Sequence, residues 1–159
     1  IRVIETATVP KTAVAGWILA VDESGVREPI GARIIEVPED PEQFEHRDSR
    51  AGFVVYAPIG SIRRGEALAA TGGAGGGGQR TLPCAACHGP GLQGLGPVPG
   101  IAGRSPSYLV RQMYDMQTGA RHGEWTTLMM PVVAKLTDED FVNLAAYVAS
   151  LVPAPVAAP

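Results

Sequence analysis

Cys84-Ala85-Ala86-Cys87-His88 is the stretch on which the reading of this chain turns. The pattern C-x-x-C-H is the attachment signature of a c-type haem. Two thiols add across two vinyl groups of the porphyrin and fix it covalently. The two-residue gap sets both sulfurs on one turn of chain, within reach of adjacent vinyls. The histidine directly after the second cysteine then lies under the iron as its proximal ligand. These are the only cysteines, so none is left for a structural disulfide. Two other uses of the pair fit less well. A thioredoxin-like C-x-x-C starts a helix after a strand, whereas a glycine-rich stretch at 72–78 precedes this one. A zinc site needs two more ligands at metal spacing, and only His46 and His122 remain. The motif therefore predicts one covalently attached haem c, with its iron bound by His88.

Length and composition agree with that. A chain of 159 residues makes one domain, or one domain with a substantial extension. A net charge of −3 gives no footprint for nucleic acid. Twenty glycines and 14 prolines predict much irregular chain, which suits a fold where a porphyrin replaces part of the side-chain core. No apolar run is long enough to span a membrane, and no signal peptide is visible. The sequence starts at Ile1 rather than Met, which suggests a leader already removed. Haem attachment in bacteria happens outside the cytoplasmic membrane, so the expected location is the periplasm.

Residues 61–71, SIRRGEALAAT, read as a helix with Ser61 as N-cap and Ile62, Leu68 and Ala69 on an apolar face. The stretch 72–78, six glycines in seven residues, ends it as a flexible loop. It is no phosphate cradle, because no Lys-Ser/Thr follows. Residues 89–103, rich in glycine and proline, read as a loop around one haem edge. Ser105 is an N-cap with Pro106 at the first helical position, opening a helix over 106–118. Residues 119–136 read as irregular. Thr137-Asp138-Glu139-Asp140 is a helix N-terminus, with acids at the positive end of the dipole. The last helix runs over 138–151, with Phe141, Leu144, Ala145, Val148 and Leu151 on one stripe. Pro153 and Pro155 stop it, and residues 153–159 read as a disordered tail.

In this order the residues resemble the class I cytochromes c, nearest the small bacterial c4/c553-type domains, over 61–152. The matching pieces are Gly65 and Leu68 in the first helix, Cys84–His88 with Gly89, and Pro99-Gly100-Ile101-Ala102-Gly103. After them come Tyr108-Leu109-Val110-Arg111-Gln112, then residues 128–134 with 136–140, and finally Leu144-Ala145-Ala146-Tyr147. Ile101 stands where that family's turn has leucine, and the glycine-rich insert before Cys84 is a larger departure. The resemblance implies a mainly α fold of the class I cytochrome c type, in which first and last helices cross with Gly65 close to Tyr147. It also implies the Pro99 carbonyl as the partner of the His88 ring.

The sixth iron ligand decides between chemistries. An electron carrier keeps iron six-coordinate, whereas a catalytic or gas-binding haem leaves a position open. The candidates are Met113, Met116, Met129, Met130, His46 and His122. Met113 lies on an amphipathic helix and reads as core filler. Met129 and Met130 lie in the segment read as irregular, where a loop can present sulfur to iron. Met129 has the better register, because the family resembled shows a ligand methionine, a gap, and then Leu-Ser/Thr-Asp, as in Leu136-Thr137-Asp138. Haem propionates want donors, which Arg104, Tyr108, Arg111 and Trp125 could supply.

The first sixty residues exceed a minimal cytochrome. Short β-branched runs at 17–21, 32–37 and 52–56 predict a few short strands. Six acids lie between residues 36 and 48 against one arginine and one histidine. They make either a solvated loop or an acidic docking patch, which would raise on-rate more than affinity. The expected function is single-electron transfer between periplasmic redox proteins through a His/Met-ligated haem. The alternatives are a haem enzyme, or haem subunit of an oxidoreductase, with an exchangeable sixth ligand, and an interaction module that docks or oligomerises through residues 1–60.

Overall fold

A computed structural model describes residues 1–73 and 78–155. Short strands fill its first part: β1 (Arg2–Glu5), β2 (Thr8–Pro10), β3 (Thr12–Ala15), β4 (Ile18–Val21), β5 (Arg27–Pro29), β6 (Ile35–Pro38) and β7 (Phe53–Ala57). In the principal sheet β7 is central, parallel to β1 and antiparallel to β6. β2 pairs with β5, and β3 with β4, both antiparallel. Both faces of the principal sheet are covered: Val55 and Ala57 are buried on one, and Val37 with its cross-strand partner Val54 on the other. The runs expected at 17–21, 32–37 and 52–56 correspond to β4, β6 and β7. Runs of three or four residues, as in β1, β2, β3 and β5, are too short for a period of two to register, and β1 finds its partner far along the chain. A short helix, α1 (Pro41–Glu45), stands inside the acidic segment. Asp40 caps it, accepting from the amides of Glu42 and Gln43, with Pro41 at the first position.

The helical part follows the sequence more closely. α2 (Ser61–Thr71), α3 (Ala85–His88), a 3₁₀ turn (Pro90–Leu92), α4 (Pro106–Thr118), α5 (Thr126–Val133) and α6 (Asp138–Ser150) occur in that order. The N-cap of α2 is Gly60 at φ +82°, not Ser61, which is fully buried in the first turn. Ser105 caps α4, and Thr137 closes a reciprocal capping box with Asp140 on α6. Residues 119–136 are not wholly irregular, because α5 lies among them. Pro131 inside it, eight residues of length and no side-chain cap hide it from a pattern reading. The glycine-rich stretch at 72–78 falls partly on 74–77, outside the described residues. The tail expected from 153 is anchored where it begins: the Gln93 amide donates to the Val152 carbonyl at 2.9 Å and accepts from the Ala154 amide at 2.6 Å. Residues 156–159 lie outside the described residues.

α2 and α6 make the largest helix–helix contact. Gly65 permits it: a Cβ there would stand 2.0 Å from the Asn143 carbonyl oxygen and 2.8 Å from Cβ of Tyr147. Two apolar clusters flank α6. One gathers Leu68, Ala69, Val133, Leu136, Phe141 and Leu144, the other Leu92, Ala102, Leu109, Ala145 and Val148. Cys84 and Tyr147 touch both.

The N-terminal strands are bonded into this helical part. Glu5 accepts from the Ile62 amide at 2.8 Å, supplying α2 with the cap that Gly60 lacks. Glu36 accepts from the Ser105 hydroxyl at 2.6 Å and the Ser107 amide at 3.3 Å, at the start of α4. Both carboxylates meet the positive end of a helix.

Candidate haem site

The attachment motif is held from behind. The Cys84 amide donates to the Ala69 carbonyl at 2.9 Å, tying the motif to the end of α2. Cys84 begins the short α3, half-buried, while Cys87 is exposed. Burial pushes the Cys84 thiol above its ordinary range, with a smaller contribution from Cys87. Redox dithiols show the opposite, a depressed thiol. Among the described residues no three His, Cys, Asp or Glu side chains converge as a metal cluster.

His88 is buried, with Nδ1 lying 2.8 Å from the Pro99 carbonyl oxygen. A carbonyl only accepts, so Nδ1 carries the proton and donates. The Nε2 lone pair is then free for a metal, and the ring orientation is fixed.

His88 opens on a cavity of about 410 Å³, within the range of sites for small molecules and cofactors. Cys84, Cys87, Pro99, Ile101, Arg104, Tyr108, Trp125 and Met129 all line it, together with the apolar face of α6. Arg111 does not. It points away on α4, lies 4.0 Å from Asp115 and is largely exposed, because position 111 falls on the face turned from the Met113 side. Two polar residues that pattern reading missed also line the cavity, Gln112 and Arg121, and the Arg121 guanidinium donates to the Gln112 amide oxygen. No local signal marks this pair, which forms only when the chain turns after α4.

The six candidate sixth ligands separate. Met113, Met116 and Met129 line the cavity. Met130 is exposed on α5 and lies outside it. His46 bonds the Glu42 carbonyl and His122 the Gly119 carbonyl, and neither reaches the cavity.

The family model for cytochrome c matches residues 63–152, more than half of the chain. The chain belongs to the cytochrome c family. Among cytochromes c, it is 41% identical over 68 residues to cytochrome c-554(548) of Halomonas halodenitrificans, covering 42% of this chain and 82% of that protein. It is 40% identical over 76 residues to cytochrome c4 of Thiocapsa roseopersicina, covering 47% of this chain and 38% of that protein. A solved thiosulfate dehydrogenase from Marichromatium purpuratum superposes with a TM-score of 0.52 at 39% identity, covering 64% of this chain and 22% of that one. The matched region is thus well under half of the length of these last two proteins.

Membership of the cytochromes c implies haem c as the prosthetic group and electron transfer as the family's work. The residues fit the group. Two thiols stand one turn apart at the cavity wall, a buried imidazole presents a free lone pair, and the remaining wall is mostly apolar with arginine and tyrosine at its edge. Such a wall keeps water from iron and leaves donors for carboxylates.

Proposed function

We propose that this cytochrome carries single electrons between redox proteins through one haem c attached at Cys84 and Cys87 and ligated by His88 and Met129. The observation that carries the reading is that His88, its Nδ1 committed to Pro99, and Met129, on α5, line one apolar cavity. Met113 and Met116 line it too, and the register of Met129 before Leu136-Thr137-Asp138 favours Met129 over them. Bound there, the haem supplies a one-electron couple at iron, and thioether ligation raises its potential relative to two histidines. The protein's part is to hold both ligands still, so that a change of iron charge needs little rearrangement. Arg104, Tyr108, Trp125, Gln112 and Arg121 serve as donors around the propionates, and Ile101 packs the haem edge. One attachment motif in the sequence supports one haem. Residues 61–152 form the haem domain in this reading, with 1–60 as an integral extension.

The proposed partners are exported redox proteins and the proposed location is the periplasm, where covalent haem attachment takes place in bacteria. Among the described residues no helix is long and apolar enough to cross a membrane.

A second reading has its own support. The likeness to part of a thiosulfate dehydrogenase favours a haem enzyme or the haem subunit of a larger oxidoreductase, with an exchangeable sixth ligand. Optical spectra of the purified protein, oxidised and reduced, with and without carbon monoxide, test both. The carrier reading expects a low-spin spectrum with the weak far-red band of iron–methionine bonding, unchanged by carbon monoxide. A high-spin spectrum, or ready carbon monoxide binding, would remove the Met129 assignment and favour the second reading.

A further inference from the structure

α5 is a poorly self-sufficient helix. It has eight residues, and Pro131 within it has no amide hydrogen to complete the ladder. Its terminal carbonyls need donors from outside. Two side chains supply them. The buried Thr81 hydroxyl donates to the Val132 carbonyl at 2.7 Å. The Gln117 amide donates both its hydrogens, to the Val133 and Leu136 carbonyls, each at 2.8 Å. Thr81 stands three residues before Cys84, on the segment leading into the haem attachment, and Gln117 stands on α4. Of its own residues Thr126, at its start, and Val133, at its end, are buried, and Val133 is fully enclosed in the core. Met129 lies four residues before Val133, on the same face, so rotation of α5 about that anchor moves the Met129 sulfur.

We propose that Thr81 and Gln117 are positioning residues that fix α5 about its Val133 anchor and thereby set how firmly Met129 holds the iron. This rests on Met129 being the sixth ligand. Thr81 stands at the cavity wall and Gln117 outside it, so Gln117 acts with no contact to the haem. One hydroxyl couples the chain entering the attachment motif to the helix bearing the opposing ligand, and one amide couples that helix to α4.

The test uses the full-length holoprotein and imidazole as a competitor for the sixth position. Thr81→Val should bind imidazole about tenfold more tightly than wild type, the size of one lost hydrogen bond, and Gln117→Leu, which removes two, at least as much. Each should weaken the far-red band and lower the midpoint potential. Thr81→Ser, which keeps the hydroxyl, should match wild type. Equal imidazole affinity in Thr81→Val and wild type, or equal loss in Thr81→Ser and Thr81→Val, overturns the proposal. If Thr81→Val yields no holoprotein, Gln117→Leu against wild type decides on the same criterion. If wild type itself lacks the far-red band, the Met129 assignment fails and the positioning role with it. A normal wild-type band with unchanged variants sinks the positioning role alone.

Discussion

At the residue scale, ligation makes sharp demands. Met129→Ala should abolish the far-red band and let the reduced protein bind carbon monoxide, while Met130→Ala, outside the cavity, should leave the spectrum unchanged. Absorption spectra of the two variants check this. A second expectation concerns Tyr147, between the two apolar clusters. Burial first, then the charges of Glu66 and Cys84, push its phenol above the ordinary value of 10.0. The folded state then holds this proton more tightly than the unfolded chain. Its stabilisation is whole below pH 10 and is lost as pH rises through the raised folded value. Denaturant midpoints measured across the alkaline range should fall beyond pH 10, and fall less steeply in Tyr147→Phe. The Cys84 contribution disappears once that sulfur is a thioether. What was legible at this scale was local. Cys84, Cys87 and His88 announce themselves because their chemistry needs adjacency in sequence. Arg121 and Gln112 do not, because their meeting depends on the turn that follows α4. Arg111 misled for a related reason: a basic residue on the right helix can lie on its wrong face.

At the element scale, the crossing of α2 on α6 depends on one missing side chain. Gly65→Ala would gain helix propensity, about 1 kcal/mol, but its Cβ would lie on the Asn143 carbonyl. Forcing the helices apart should leave a net loss of about 3 kcal/mol, read as a lower denaturant midpoint. The capping box of α6 should yield about 1 kcal/mol on Thr137→Ala. The long helices were readable because caps and apolar stripes agree over three turns or more. α5 was not, because Pro131 argues against a helix locally while donors from Thr81 and Gln117, remote in sequence, sustain it. The strands of the extension were half readable. β6 and β7 carry β-branched runs, whereas β1 is defined by parallel pairing with residues more than fifty positions away.

At the scale of the whole molecule, the extension is a brace rather than an appendage. Its glutamates do internal work. Of the six acids at 36–48, Glu36 bonds α4, Glu39 pairs with Arg2 at 2.9 Å, Asp40 caps α1 and Asp48 pairs with Arg50 at 2.8 Å. An acidic docking patch would have to rest chiefly on Glu42 and Glu45. Glu5→Ala and Glu36→Ala should each cost about 1 kcal/mol of unfolding free energy, as lost caps do. The two should add, because they act on different helices. A shortened chain starting at Pro58 would lose both caps together with the sheet that covers α6, and its thermal midpoint should fall well below that of the full chain. Sedimentation of both forms reports whether residues 1–60 also mediate self-association.

The bond from Glu5 to the Ile62 amide gives this brace a clock. β1 pairs with β7, more than fifty residues further along the chain and just before α2. Its carboxylate therefore reaches Ile62 only when β1 is docked on β7. Deuterium uptake at the Ile62 amide would be slow only in molecules whose β1 is docked. Followed during refolding, that single proton would time the moment at which extension and haem domain become one cooperative unit.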